Sequence, residues 1–287
     1  ELQATPGCVV LVARNGRIAY EKAFGYMQYD KKDPVYPETL YDLASVTKVC
    51  ATTISVMKLY DEGKLDLHKT LGDYLPWVRG SDKDTLKIWD IMLHQAGLKA
   101  FIPFYAETIT HDKEGLPLPS IYSSVADSLH CVRVAEHLYM RSDWLDTIYK
   151  RILTSPLGPV GKYIYSDNDF IFMGKVVEAI SGKTLDQYAY DNFYAPLGLT
   201  TTGFKPRNRF PLDRIAPTQM EPAFRRQLIH GDVHDPGAAM FGGVSGHAGL
   251  FSDAYDLAVV MQMLLNGGTI NGHQYLKKET IQYFSDY

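Results

Sequence analysis

The order of apolar and polar positions divides the chain into a β-rich start, a long helical middle and a short mixed end. Residues 7–14 and 17–21 are two β-prone runs around Asn15-Gly16, a dipeptide suited to the type I′ turn of a hairpin. Phe24-Gly25-Tyr26 continues or closes the second strand, and residues 28–40, with two prolines, read as loop. From 45 to about 62 the apolar spacing is helical, with Gly63 as its stop. Residues 65–76 read as a connection and turn, and 85–94 as a compact helix closed by Gly97. Residues 99–142 are rich in Pro, Tyr and His and predict long surface loops, with a short helix near 128–139. Helices follow over 144–153, 169–181 (ended by Gly182) and 184–194 (stopped by Pro196), with a short β-like entry at 162–165. Residues 200–236 are again loop-rich. A glycine-rich bend, 242–249, leads through Leu250-Phe251-Ser252 into a helix over 253–266, and 274–287 reads as one more amphipathic helix. There are no internal repeats and no low-complexity segments.

This layout predicts an α/β (α+β) fold, an antiparallel sheet flanked by helices and carrying a mostly helical inserted region. The expected boundaries are 1–74 for the first part of the α/β region, 75–235 for the insertion and 236–287 for the second part. Composition agrees with a folded chain, since 46% of the 287 residues are hydrophobic and 12% aromatic. The formal net charge of −4 carries no long run of either sign, which argues against nucleic acid or an anionic membrane as partner. No apolar run reaches the ~18–20 residues of a membrane span, and no signal peptide is recognisable. Cys8, Cys50 and Cys131 are odd in number and far apart, so they form neither a disulfide framework nor a Cys-x-x-Cys site. Cys50 reads as a small buried hydrophobe.

The chemistry concentrates at Ser45-Val46-Thr47-Lys48. A Ser hydroxyl is a poor nucleophile without an adjacent base and a positive field, and Ser-x-x-Lys at a helix start supplies both within one turn. The plain alternative is a helix-capping Ser beside a solvated Lys. A second copy, Ser55-Val56-Met57-Lys58, sits in mid-helix, where nothing presents Ser55, and reads as chance.

Other patterns join the first: His94-Gln95-Ala96-Gly97-Leu98, Tyr165-Ser166-Asp167, Pro196-Leu197-Gly198-Leu199 and Gly246-His247-Ala248-Gly249-Leu250-Phe251-Ser252. In this order and spacing the chain resembles the serine β-lactamase-like family of class C β-lactamases, low-molecular-mass penicillin-binding proteins and related esterases. The passages 230–235 and 243–251 bring it nearest to Bacteroidetes modules often found fused to a glycoside hydrolase family 3 domain. The resemblance implies a serine hydrolase acting through an acyl-Ser45 intermediate on a small ester, amide or peptide, β-lactams and peptidoglycan fragments included. Ser45 would be the nucleophile, Lys48 its activator and Tyr165 the partner base, a phenol (ordinarily near pKa ~10) made useful by the neighbouring cation. The Ser45 N–H would form part of the oxyanion hole. No metal or organic cofactor is implied, and a periplasmic or secreted location follows from the family alone.

Two departures stand out. Where the family has Tyr-x-Asn, this chain has Tyr165-Ser166-Asp167; Tyr190-Asp191-Asn192 lies within an amphipathic helix and reads as a decoy. Asp167 cannot donate an amide N–H to a substrate carbonyl, and its charge favours the ammonium form of Lys48. The expected result is weak β-lactamase activity with Tyr165 as the base. The family's third motif, Lys-Thr-Gly or His-x-Gly, is expected some tens of residues after the 253–266 helix, beyond Tyr287, together with the last sheet strands. On that view the chain is an incomplete enzyme, and a non-catalytic binding or accessory module attached to a glycosidase is the rival reading. Asp167 and His247 are the candidate substrate-binding residues, the alternatives being a helix cap and a loop anchor. His94 reads as a structural His bonding a loop carbonyl. His230, His234 and Asp235 lack the element and the partner spacing of a metal site. Tyr105, Tyr122 and Trp144 could line a pocket but read as packing.

Overall fold

Asn15 and Gly16 both take positive φ, 52° and 70°, and fold β1 (Gly7–Arg14) back on β2 (Arg17–Gly25) as an antiparallel hairpin with Gly7 opposite Gly25. The computed structural model describes residues 4–112 and 114–286. The fold is mixed α/β, small antiparallel sheets with helices packed around them, as the hydrophobic pattern predicted.

After β3 (Tyr41–Asp42) the chain enters the Ser45 helix, which begins with Val46 and Thr47, widens into a π-helical turn over Lys48–Thr53 and continues as α1 (Ile54–Asp61). Cys50, Ala51, Ile54, Val56 and Leu59 are fully buried along it. Burial pushes the Cys50 thiol up to about 12, which keeps it an inert hydrophobe. Next come α2 (Leu71–Tyr74) and α3 (Ile88–Met92). The structure corrects the expected helix near 128–139. That stretch lies in a three-stranded antiparallel sheet of β4 (Tyr122–Ser123), β5 (Val132–Ala135) and β6 (Leu138–Met140), with β6 in the centre. The β-branched Val132 and Val134 on either side of Arg133 favour the extended chain once β6 is there to pair with.

The helices α4 (Trp144–Thr154), α5 (Asp167–Ser181) and α6 (Leu185–Ala189) follow, the last prolonged by a π-helical turn over Tyr190–Tyr194. The expected β entry at 162–165 is irregular backbone, and α5 starts two residues earlier than its apolar spacing indicated. Short strands β7 (Gly203–Phe204), β8 (Gln219–Glu221) and β9 (Gln227–Ile229) precede α7 (Pro236–Met240). The chain then passes the glycine-rich bend into β10 (Leu250–Ser252), α8 (Ala254–Leu265), β11 (Thr269–Ile270), β12 (His273–Gln274) and α9 (Lys278–Ser285). Of the last expected helix, the start is β12 and turn, and Tyr287 lies outside the described residues.

Two contacts place the site. Strand β10 pairs with β3, Phe251 opposite Asp42, so the bend before β10 lies beside the turn after β3. The bend also rests on α5, which is buried through Asn168–Gly174: a Cβ on Gly246 would fall inside the Phe170 carbonyl oxygen and 2.9 Å from the Gly174 nitrogen. A glycine is required at 246 by this close approach. Gly246→Ala is therefore expected to cost about 2 kcal/mol or more, read as a lowered midpoint in thermal or urea unfolding; an unchanged midpoint would refute the close fit.

Candidate active site

Ser45 leaves β3 through a strained turn. Ala44 sits at φ 44°, a left-handed conformation that costs a non-glycine residue on the order of 1 kcal/mol. Asp42 stabilises this turn, one carboxylate oxygen accepting the Ala44 N–H at 2.8 Å and the other the His234 N–H at 2.7 Å. Burial, set against those two hydrogen bonds, pushes the Asp42 carboxyl above its ordinary value. The N–H groups of Val46, Thr47 and Lys48 then bond three residues back, at 2.9, 3.1 and 3.0 Å, giving a tight first turn. The turn that follows opens to π geometry. Within it the Lys48 carbonyl accepts the Thr53 hydroxyl (2.7 Å) and the Cys50 carbonyl accepts the Tyr194 hydroxyl (2.8 Å). Ser45 is exposed, whereas Lys48 is 4% exposed. The Ser45 N–H meets no acceptor among the described residues.

Lys48 Nζ donates to Ser45 Oγ at 3.0 Å, to Asp167 Oδ1 at 2.7 Å and to the His247 carbonyl oxygen at 3.2 Å. Three acceptors match the three N–H bonds of an ammonium. The Tyr165 ring centroid lies 4.7 Å from Nζ and that of Phe170 5.9 Å, so aromatic faces cover the cation as well. Asp167 is the first residue of α5, not its cap; the cap is Ser166, whose Oγ accepts the Asp169 N–H at 3.3 Å. Tyr165 is 45% exposed and meets Lys48 with its ring face, and its hydroxyl makes no hydrogen bond to Ser45 or Lys48. The structure thus brings Ser45, Lys48, Tyr165, Asp167 and His247 together. Ser55, on the second Ser-x-x-Lys, is fully buried and bonds the Ala51 carbonyl.

Behind this group stands a residue that the sequence offered only as a metal ligand. Asp235 Oδ1 lies 2.8 Å from His247 Nε2 and accepts the Ala238 N–H at 2.7 Å, which caps α7. His247 Nδ1 faces Ser245 Oγ at 2.8 Å. Burial pulls the Asp235 carboxyl upward, but His247, the Ala238 N–H and the Lys48 charge together bring it down to about 2. Asp167, Asp235 and His247 place ligand atoms within 4.8 Å of one another, a set that could hold a cation. The Lys48 ammonium already faces Asp167, while Asp235 and His247 are turned on each other. His230 is committed elsewhere, its Nε2 lying 2.9 and 2.7 Å from the carbonyls of Leu212 and Ile215.

On the opposite side His94, also at positive φ (57°), puts Nδ1 2.8 Å from Asp169 Oδ2 and accepts the Ser166 N–H at 3.1 Å. Its ring therefore bonds an amide and a carboxyl, in place of the loop carbonyl expected. Asp169 is 1% exposed, its Oδ1 has no partner among the described residues, and burial raises its pKa to about 6 against the opposing pull of His94 and Lys48. The Asp169 signal was hidden by a separation of 75 residues from His94. Tyr105 and Tyr122 are packed against Phe224, as their plain reading had it. The cavity of about 940 Å³ between the β1–β2 turn, Pro196–Leu199 and α8 touches none of these groups, whereas a second of about 820 Å³ is lined by Ala44, next to Ser45.

A family model described as Beta-lactamase matches residues 1–285. A relative from Escherichia coli K12, provisionally named a D-alanyl-D-alanine carboxypeptidase, is 35% identical over 307 residues, covering 98% of this chain and 64% of its own length. The chain thus spans just under two thirds of that relative. Among solved structures, the octameric penicillin-binding protein homologue of Pyrococcus abyssi superposes with a TM-score of 0.67 at 20% identity, over 96% of this chain and 55% of that one. A class C β-lactamase from Rhodobacter sphaeroides gives 0.64 at 20% identity, over 97% and 64%. These two likenesses show the fold.

The two perturbed carboxyls act on stability with opposite signs. Asp169, raised to about 6, favours the folded chain fully below its ordinary value of 3.8, and this contribution is lost as pH rises through 6. Asp235, lowered to about 2, contributes above 3.8 and loses that as pH falls towards 2. Between pH 4 and 6 the wild type should lose up to roughly 3 kcal/mol relative to Asp169→Asn. Unfolding midpoints of both proteins across that window check it, and parallel curves would contradict it.

Proposed function

This chain belongs to the β-lactamase family, and on that premise we propose that it is a serine acyl-hydrolase in which Ser45 is the nucleophile. The observation that supports this best is the contact of an exposed Ser45 Oγ with a buried, three-way bonded Lys48 ammonium at 3.0 Å. Because all three N–H bonds of Lys48 are donated, Lys48 serves as the cation that stabilises the developing alkoxide, and the proton goes to Tyr165.

Ser45 Oγ attacks the carbonyl carbon of the substrate while its proton passes to the Tyr165 phenolate oxygen. The oxyanion of the tetrahedral intermediate is met by the free Ser45 N–H at the helix start. Collapse breaks the bond to the leaving group, which takes the proton back from Tyr165, and water then hydrolyses the acyl-Ser45 ester. The Tyr165 ring already lies against Lys48 Nζ, and a catalytic hydrogen bond that is unmade in an unliganded site commonly tightens as substrate binds. Small esters, amides and peptides ending in D-alanine suit this scheme, the last supported by the name of the Escherichia coli relative. Asp167 in place of an amide removes an N–H donor to the substrate carbonyl, so β-lactams are expected to turn over slowly. A binding-only module is the second reading, favoured by the unaligned Tyr165 hydroxyl.

A serine-reactive fluorophosphonate separates the two readings. Intact mass should show one adduct on wild type, none on Ser45→Ala, and labelling slowed about 100-fold or more in Lys48→Met; an unlabelled wild type would leave the binding module standing. With a chromogenic β-lactam, wild type should be slow and Asp167→Asn faster, and rapid wild-type turnover would overturn the role given to Asp167.

A further inference from the structure

Residues 94–100 run alongside 158–168 as a ladder of single hydrogen bonds outside any strand pair. Gly97 accepts the Gly158 N–H at 2.7 Å, Gln95 that of Gly161 at 2.8 Å and Ala100 that of Asp167 at 2.9 Å. The Lys99 carbonyl takes both the Ser166 hydroxyl (2.6 Å) and the Asn168 side-chain amide (2.7 Å). Within this ladder His94 alone holds both neighbours of Tyr165. Its carbonyl oxygen accepts the Ile164 N–H at 2.8 Å and its Nδ1 accepts the Ser166 N–H at 3.1 Å. Its imidazole lies against the phenol, with ring centroids 4.6 Å apart and planes inclined by 47°.

We propose that His94 is a positioning residue for Tyr165: it grips the backbone on either side of the tyrosine and offers its imidazole as the wall on which the phenol rests. The proposal rests on the reading of Tyr165 as the base. A tyrosine that is 45% exposed, with no hydrogen bond from its hydroxyl to Ser45 or Lys48, is not fixed by burial or by its own polar end. What fixes it is the backbone clamp together with the His94 imidazole and the Lys48 ammonium that lie against its ring. The imidazole is itself held. Asp169 Oδ2 stands 2.8 Å behind Nδ1 and Phe170 packs at 5.2 Å, while the positive φ of His94 turns the side chain back over the 164–166 segment. With Nδ1 accepting the Ser166 N–H, the ring proton sits on Nε2.

The test uses fluorophosphonate inactivation of the full chain, resolved into the binding constant KI and the maximal rate kinact, for wild type, Tyr165→Phe, His94→Ala and His94→Asn. Asn tolerates positive φ and its Oδ1 can take the place of Nδ1 as acceptor for the Ser166 N–H, so this variant keeps the clamp and loses only the ring. The expected pattern is kinact reduced about 100-fold in Tyr165→Phe, 30-fold or more in His94→Ala and 3- to 10-fold in His94→Asn. KI should stay within twofold throughout, because positioning of the base acts on the rate and not on capture. Near-wild-type kinact in either folded His94 variant, alongside a slow Tyr165→Phe, would overturn the inference. His94→Asn remains decisive if His94→Ala does not fold. A Tyr165→Phe that labels as fast as wild type would instead overturn the base assignment.

Discussion

The burial of one ammonium group governs the arrangement of this protein. Taking a lysine charge out of water costs several kcal/mol unless every proton finds an acceptor and a counter-charge stands close. Lys48 meets that demand with three acceptors from three separate parts of the chain: Ser45 before its own helix, Asp167 at the head of α5 and the carbonyl of His247 in the bend before β10. None of the three could shift without leaving a buried N–H unpaired. The cation therefore fixes the junction of three elements and polarises the hydroxyl lying between them.

Neutral contacts carry the same junction outward. Thr47 Oγ1 accepts the Leu250 N–H at 3.0 Å, Thr52 donates to the Gly246 carbonyl at 2.7 Å, and the Leu43 N–H reaches Leu250 at 2.9 Å. The bend is thus stitched to the Ser45 helix on one side while Gly246 presses on α5 on the other. Asp235 and His247 form a hydrogen-bonded pair just outside, which anchors the residue whose carbonyl serves Lys48. Charge and packing converge on the same few residues, so site geometry and fold stability are inseparable here.

The hairpin, the Ser45 helix, α4, α5 and α8 were legible because each announces itself locally, by a turn dipeptide, an apolar period or a glycine stop. Ser45 and Lys48 were legible for the same reason, being three residues apart on one turn. The sheet over residues 122–140 was not, since strands of two to four residues show too little alternation to outweigh their loop-like surroundings. The supporting carboxyls escaped for a different reason. Asp235 meets His247 across a glycine-rich bend, and His94 meets Asp169 across 75 residues, so no spacing rule joins them. Asp167, by contrast, was legible as a charge acting on Lys48, and the cap that was its alternative reading falls to Ser166, one residue earlier.

The π-helical turn over Lys48–Thr53 also sets the chain's tolerance to changes in length. An α-helix advances about 100° per residue, and a π turn holds one residue more than the α turn it replaces. Everything from Ile54 onward is thereby rephased by one residue relative to an unbroken α-helix, and the body of the helix sinks into the core while Ser45 at its start stays exposed. Deleting a single residue here would let the turn close to α geometry with Ile54 and Leu59 still buried and the Ser45–Lys48 pair still aimed, whereas the same deletion within α1 would swing one flank against the other by about 100°. A lost residue is thus absorbed at this turn, and one turn further along it becomes a loss of aim.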